Sequence, residues 1–180
     1  MTDFTNPAQG AATRSSAYVD NLLALLGDRD PLTVLPVLAD EVAALTAGMS
    51  EAQLRQPEKE GKWSVIQVVQ HLADIEIVYG YRFRLILAEP EPPIQGFDQD
   101  AWADRLRYAD AKLDEAMEQL RVLRGVNVRL YRSLDAAQLD RVGHHAERGP
   151  ESVRHILRLV AAHDLVHRRQ IERIKRAIGA

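Results

Sequence analysis

Apolar residues recur along most of this chain at every third or fourth position, the period of a helix with one buried face. The pattern predicts a first helix that ends at Gly27 and a second helical segment that begins with Asp30 as N-cap and Pro31 in the first turn. Pro36 follows closely and moves the expected start of this second helix toward Leu35.

Three further helices follow from the same period. The clearest begins at Ser64, which has capping-box spacing to Gln67, and ends before Pro90. Another is predicted over residues 109–133, although Gly125 weakens its middle. The last helix is expected to have Pro150 in its first turn and to end at Gly179.

No stretch alternates with period two between turn signals, and the chain contains no internal repeat. We therefore predict an all-α fold, a four-helix bundle with a short additional N-terminal helix. The bundle should form a single domain over residues 15–180, preceded by a flexible N-terminal arm at residues 1–14, where few apolar side chains occur.

Composition narrows the chemistry that this fold can carry. The chain has no cysteine, which excludes disulfides, thiolate metal sites and a catalytic thiol of its own. Its 23 basic and 26 acidic side chains are interspersed, so neither nucleic acid nor a membrane is an expected partner. No segment is apolar enough for a signal core or a membrane helix, and we expect a cytoplasmic protein.

Histidines occupy positions on the predicted apolar faces. In the last helix His163 and His167 continue a stripe of aliphatic residues, and in the helix after Ser64 His71 lies between Val68 and Ile75. Imidazoles four residues apart on a helix can share a metal ion, and a third imidazole from a facing helix would complete a three-nitrogen site. Such a site leaves positions open for water and substrate, which favours catalysis.

Other interpretations of these histidines stay open. A four-residue pair alone is a weak signal, and three buried imidazoles can also form a polar cluster without metal. A zinc peptidase is disfavoured, because Asp164 stands where that motif has a glutamate base. His155 lies about 80° around the helix from His163, and His144 and His145 fall in a loop, so none of these three is an expected ligand.

Two residues near His71 are candidate catalytic residues. Asp74 follows His71 by three positions and is a candidate base or hydrogen-bond acceptor beside the metal. Arg82 lies further along the same face and could receive an anionic group of the substrate. A solvated carboxylate and a structural ion pair are the competing interpretations. Gln170 is placed to hydrogen-bond an imidazole or the substrate.

Three segments, "GKWSVIQVVQHLADIEIVYGYRFRL", "PIQGFDQDAWA" and "HDLVHRRQI", occur in an order and at a spacing that resemble the DinB/YfiT-like superfamily of metal-binding four-helix bundles. The resemblance covers about Leu32 to Ile178. It implies His71, His163 and His167 as ligands of one divalent metal ion, nickel or zinc. It also implies hydrolysis or transfer of a low-molecular-weight thiol as the reaction class, and a possible homodimer.

Two functions of different classes follow. The first is a metal-dependent enzyme that acts on a small molecule by thiol S-transfer or by hydrolysis, with the thiol supplied as a co-substrate. The alternative is a non-catalytic, metal-stabilised helical bundle that acts through dimerisation or partner binding.

Overall fold

The computed structural model describes the backbone of residues 11–180 and the side chains of residues 19–180. The described chain is mostly helical. Its helices are α1 (Ala11–Leu26), α2 (Pro31–Val34), α3 (Leu38–Thr46), α4 (Glu51–Arg55), α5 (Val65–Ala88), α6 (Gln99–Arg105), α7 (Leu113–Arg132), α8 (Ala136–Leu139) and α9 (Val153–Ile178). Short 3-10 turns cover Leu35–Val37 and Tyr108–Asp110.

The long helices pack as a bundle, which confirms the predicted fold class. Helix α5 packs against α7 and α9, α1 packs against α9, and the segment of α2, the 3-10 turn and α3 contacts both α7 and α9. Their apolar faces bury two clusters of core residues. One cluster joins α1, α5 and α9, and the other joins α3, α5, α7 and the end of α9.

Several local signals act as the sequence predicts. Gly27 ends α1 with φ +60°, a left-handed conformation that favours glycine. The Asp30 side chain accepts a hydrogen bond from the Leu32 amide and caps α2. At the start of α5, the Gln67 side chain accepts a hydrogen bond of 2.9 Å from the Ser64 amide, as a capping box requires.

Pro36 divides the second predicted helix rather than shifting its start. The chain forms α2, then the 3-10 turn that contains Pro36, and only then α3. A proline ring removes one amide donor and clashes with the preceding turn, which explains the break. Helix α7 begins at Leu113 rather than near residue 109, because the chain first makes the 3-10 turn at Tyr108–Asp110.

A small three-stranded sheet at one end of the bundle was not predicted. Strands β2 (Val142–His145) and β3 (Gly149–Ser152) form an antiparallel hairpin, and β1 (Pro93–Ile94) pairs with β2 in parallel. The expected position of Pro150 in the first helical turn is wrong, since Pro150 lies in β3 and Ser152 caps α9. These strands are too short for a period-two pattern to reveal them.

Residues 1–10, most of the predicted N-terminal arm, lie outside the described residues, and α1 already begins at Ala11. Within the described part of the chain, no helix combines the length and apolar character that a bilayer span requires.

Candidate metal centre

Three histidines meet inside the bundle. His71 comes from α5, and His163 and His167 come from adjacent turns of α9, with exposed fractions of 1%, 8% and 2%. Their candidate ligand nitrogens all lie within 4.8 Å of one another, and the Nε2 atoms of His71 and His163 are 3.1 Å apart. The two helical faces therefore bring together the three imidazoles that the sequence selects.

Helix geometry explains this convergence. A four-residue step places His163 and His167 one above the other, with ring centroids 4.3 Å apart. The packing of α5 on α9 then puts the His71 ring 4.7 Å from His167 and 5.2 Å from His163. The Trp63 ring lies 5.0 Å from His71 and forms an aromatic wall beside the cluster.

Burial keeps the three imidazoles neutral at physiological pH. Desolvation lowers the pKa of His71 and of His163 well below the usual 6.5, and it lowers the pKa of His167 to about 4. A neutral imidazole keeps a free lone pair on one ring nitrogen, which is the form that binds a metal ion.

The hydrogen bond of one histidine fixes its tautomer. Nδ1 of His167 lies 2.8 Å from Oε1 of Gln170, an oxygen that can only accept, so Nδ1 donates and the lone pair of Nε2 is free. The sequence predicts that Gln170 can hydrogen-bond an imidazole, and the structure confirms this contact. Nδ1 of His163 is buried and makes no hydrogen bond to the described part of the chain.

The arrangement fits a divalent metal ion. Nitrogen ligands at about 2.0–2.1 Å in a tetrahedral site stand about 3.4 Å from one another. The 3.1 Å separation between Nε2 of His71 and Nε2 of His163 is close to this value. Small side-chain rotations would bring the ligand nitrogen of His167 to a similar distance. Among the described residues the cluster offers three protein ligands, which leaves coordination positions for other molecules.

A buried network of charges lies beside the histidines. The guanidinium of Arg124 in α7 hydrogen-bonds the carboxylates of Glu76 in α5 and of Asp164 in α9, and all three side chains are at most 3% exposed. Asn127 adds a 3.0 Å hydrogen bond to Glu76. The network joins three helices, and sequence reasoning missed it, because Arg124 and Glu76 resemble ordinary surface charges of amphipathic helices.

Asp74 is half-buried and faces α7. Its carboxylate accepts hydrogen bonds from the Tyr108 hydroxyl at 2.7 Å and from the side-chain amides of Gln119 at 2.8 Å and Gln70 at 3.1 Å. Burial and the bond to Asp74 raise the pKa of the Tyr108 hydroxyl, so Tyr108 stays a neutral donor. The structure thus shows Asp74 tied to protein donors.

Arg82 is 7% exposed and lies near the end of α5. It donates to the Gln95 carbonyl, and its guanidinium lies 5.5 Å from the Tyr79 ring centroid and 5.9 Å from that of Phe97. The other histidines do not join the metal cluster. His144 is exposed beside Glu91, His155 is partly buried near the start of α9, and His145 is buried in the hairpin.

Comparison with known proteins supports this interpretation. A 29% identical relative from Bacillus mycoides (strain KBAB4) aligns over 79% of this chain and 82% of its own length, and it is named a "putative metal-dependent hydrolase". A Geobacillus thermodenitrificans protein of the same name is 35% identical over 58% of this chain. This second alignment spans 59% of the relative's length.

One solved structure has the same fold. YfiT from Bacillus subtilis superposes with a TM-score of 0.78 over 83% of this chain and 86% of its own, at 29% identity. It is described as a probable metal-dependent hydrolase with an unusual four-helix bundle topology. The model of the DinB superfamily matches residues 37–171, a range that contains all three histidines of the cluster. The chain therefore belongs to the DinB superfamily.

Proposed function

We propose that this protein is a divalent-metal-dependent enzyme of the cytoplasm that acts on a small molecule, by hydrolysis or by S-transfer from a low-molecular-weight thiol. One observation carries the proposal: three buried, neutral imidazoles place their ligand nitrogens within 4.8 Å of one another. The names of the relatives support the metal dependence and hydrolysis.

Residues His71, His163 and His167 would hold the ion, and nickel and zinc both suit imidazole ligands. A divalent ion in such a site lowers the pKa of a coordinated water or thiol and polarises a substrate oxygen. Because the chain has no cysteine, a thiol used in S-transfer must enter as a second substrate. The Trp63 ring, 5.0 Å from that of His71, lies against one side of the centre.

We propose that Asp74 and Arg82 act on the substrate. Asp74 follows the ligand His71 by about one helical turn, and as a base it would accept a proton while Tyr108 and Gln119 hold its carboxylate in place. Arg82 would bind an anionic group of the substrate. Asp74→Asn should lower kcat while the metal stays bound, and Tyr108→Phe, which keeps the carboxylate, should lower it less.

We also propose a homodimer, which the family resemblance implies. Light scattering coupled to size-exclusion chromatography measures the mass in solution directly. A mass near twice the 20.2 kDa of one chain supports the dimer, and a mass near one chain rejects it.

Metal content tests the enzyme proposal first. Untagged protein is analysed for nickel and zinc by elemental analysis, beside His71→Ala, His163→Ala and His167→Ala. His155→Ala is the matched control, since His155 lies on α9 outside the cluster. We expect about one ion per chain in wild type and control, and loss in the three variants.

Activity is then screened on the loaded protein with ester and amide substrates, and with electrophiles in the presence of different cellular thiols. Turnover that disappears in the three histidine variants supports the enzyme. A protein that binds metal tightly, loses thermal stability on chelation and turns over no substrate would instead support the non-catalytic bundle.

A further inference from the structure

Arg82 is a buried cation without an ion-pair partner. It is 7% exposed, and within the described residues no carboxylate oxygen lies within 4.0 Å of its guanidinium. Its hydrogen bond to the Gln95 carbonyl occupies one of its five N–H donors. An unpaired charge inside a protein costs stability, so its presence points to a ligand that compensates it.

His145 supplies a second unsatisfied donor in the same region. It is 3% exposed, and its Nδ1 accepts a hydrogen bond of 3.2 Å from the Glu147 amide. The proton of the neutral ring must then lie on Nε2, and Nε2 is buried without a partner in the described chain. A buried N–H that makes no hydrogen bond is uncommon.

One loop segment joins the two donors. The Gln95 carbonyl accepts a hydrogen bond from Arg82. A Cβ atom placed on the next residue, Gly96, would lie 3.7 Å from Cε1 of His145, the ring carbon bonded to Nε2. The parallel pairing of Ile94 with His145 holds this segment against the hairpin. The backbone around Gly96 thus places the imidazole edge beside the segment that the guanidinium contacts.

The surrounding charges balance formally, but no carboxylate is paired directly with Arg82 in the described chain. Arg148 and Glu151 in the hairpin neutralise each other through hydrogen bonds of 2.6 and 2.9 Å. Glu147 is exposed and forms no salt bridge within the described chain, and its Oε1 lies 3.2 Å from the carbon position on Gly96. Glu147 and Glu151 thus attract the Arg82 guanidinium only from beyond salt-bridge distance, and its remaining donors have no carboxylate partner within the described residues.

Aromatic rings form the walls of this region. The Arg82 guanidinium leans back over the ring of Tyr79, which lies on the preceding turn of α5. On the other side it lies near Phe97, whose ring packs 4.8 Å from Trp102. His71 is on the same helix, about 16 Å before Arg82 along the axis, and the Arg82 side chain leans in the direction of His71.

We propose that Arg82 and His145 together form a subsite that binds the carboxylate of a small, partly apolar substrate, with Tyr79 and Phe97 as its walls. The guanidinium binds the carboxylate in a bidentate pair and the Nε2 proton of His145 donates a third hydrogen bond. The assignment of this ligand as the substrate rests on the proposed metal-dependent function. His145 is a new member of the site.

Calorimetric titration of metal-loaded protein with benzoate, and separately with inorganic phosphate, tests the subsite. The variants are Arg82→Gln and His145→Phe, and the matched control is Arg84→Gln, because Arg84 lies on α5 but donates to Asn127 on the α7 side. Each titration is repeated in the His163→Ala background, in which an anion cannot be held by a metal ion at the three-histidine site.

We expect benzoate to bind, more tightly than phosphate, with or without the metal site. Arg82→Gln and His145→Phe should each weaken it by about tenfold or more, and Arg84→Gln should leave it unchanged. No benzoate binding at millimolar concentration, or binding that is insensitive to Arg82→Gln, overturns the proposal. Tighter phosphate binding overturns the carboxylate assignment.

Two further results separate this proposal from its alternatives. Arg82→Gln should keep or raise the melting temperature, because it removes a buried unpaired charge. A markedly lower melting temperature of Arg82→Gln, with its benzoate binding unchanged, would make Arg82 a structural residue. If the wild type binds no metal but retains Arg82-dependent benzoate binding, the enzyme proposal fails and the subsite stands.

Discussion

His167 donates a hydrogen bond from Nδ1 to Oε1 of Gln170, 2.8 Å away, and this contact leaves the lone pair of its Nε2 free for a metal ion in the cluster with His71 and His163. Hydrogen bonds of this kind set the tautomer and ring orientation of metal-binding histidines. We predict that Gln170→Leu lowers the affinity for nickel or zinc by about tenfold or more. Competition with a chromophoric chelator measures the change.

Gln170→Glu serves as the control for this prediction, because a carboxylate also accepts from Nδ1. It should keep the affinity or increase it. Equal affinities of wild type and Gln170→Leu would show that the packing of α9 alone orients His167.

Arg124 is predicted to be a major determinant of stability. Arg124→Leu leaves the buried carboxylates of Glu76 and Asp164 without their cation, which should lower the free energy of unfolding by about 3–5 kcal/mol. Urea denaturation followed by circular dichroism measures this loss. Arg121→Leu is the control, since Arg121 is exposed on the same helix.

The triple change Arg124→Leu, Glu76→Leu and Asp164→Leu should recover much of that loss, because no buried charge remains. Recovery would show that the penalty arises from unpaired carboxylates. A triple variant no more stable than Arg124→Leu would assign the loss to packing instead.

Two helical glycines should respond in opposite ways to alanine. A methyl group on Gly80 in α5 would lie 2.8 Å from Oδ1 of Asn127, a side chain that Glu76 and Arg84 hold in place. Gly80→Ala should therefore destabilise the protein by about 1–3 kcal/mol despite the better helix propensity of alanine. Thermal and urea unfolding measure the effect.

Gly125 in α7 is the matched position. Its nearest neighbour for a methyl group is Nη1 of Arg129 at 3.9 Å, an ordinary contact. Gly125→Ala should raise the free energy of unfolding by about 0.5–1 kcal/mol. Equal effects of the two substitutions would contradict the close approach of α5 and α7 at Gly80.

The stability of the hairpin region should depend on pH through His145. Burial, with the nearby charge of Arg148, lowers the pKa of His145 to about 4 from the usual 6.5. Between these values the unfolded chain binds a proton that the folded chain excludes, so stability falls as the pH drops from 6.5 toward 4.

This titration contributes up to about 3 kcal/mol in the absence of carboxylate ligands. Urea unfolding of wild type and His145→Phe at several pH values isolates the contribution of His145 to the free energy of unfolding, since the other buried histidines contribute equally to both proteins. The difference in free energy of unfolding between the two should change between pH 6.5 and 4 and be constant above pH 7. A constant difference throughout would contradict a neutral, buried His145.

Helical periodicity accounts for most of what the sequence predicts. The bundle, the cap at Ser64 and the inward position of His71, His163 and His167 all follow from residues that repeat on one face over several turns. Such patterns are local, and each turn of a helix reinforces the others. The convergence of α5 and α9, by contrast, cannot be derived from the pattern of either helix alone.

The features that were missed depend on contacts between residues distant in sequence. The β2–β3 hairpin consists of two four-residue strands in a polar segment, which no periodic pattern marks. Arg124 and Glu76 are charged residues that become buried only because α7, α5 and α9 meet around them. The sequence places His145 in a loop, and only its burial and unsatisfied Nε2 in the structure distinguish it.

The pairing of β1 with β2 also has an evolutionary consequence. It joins the connection after α5 to the connection before α9, two segments about fifty positions apart in sequence, at the pairs Pro93–His144 and Ile94–His145. A substitution in one connection therefore changes the structural surroundings of the other, and with them the substitutions that the other connection tolerates. Libraries that vary this end of the bundle should therefore randomise both connections together.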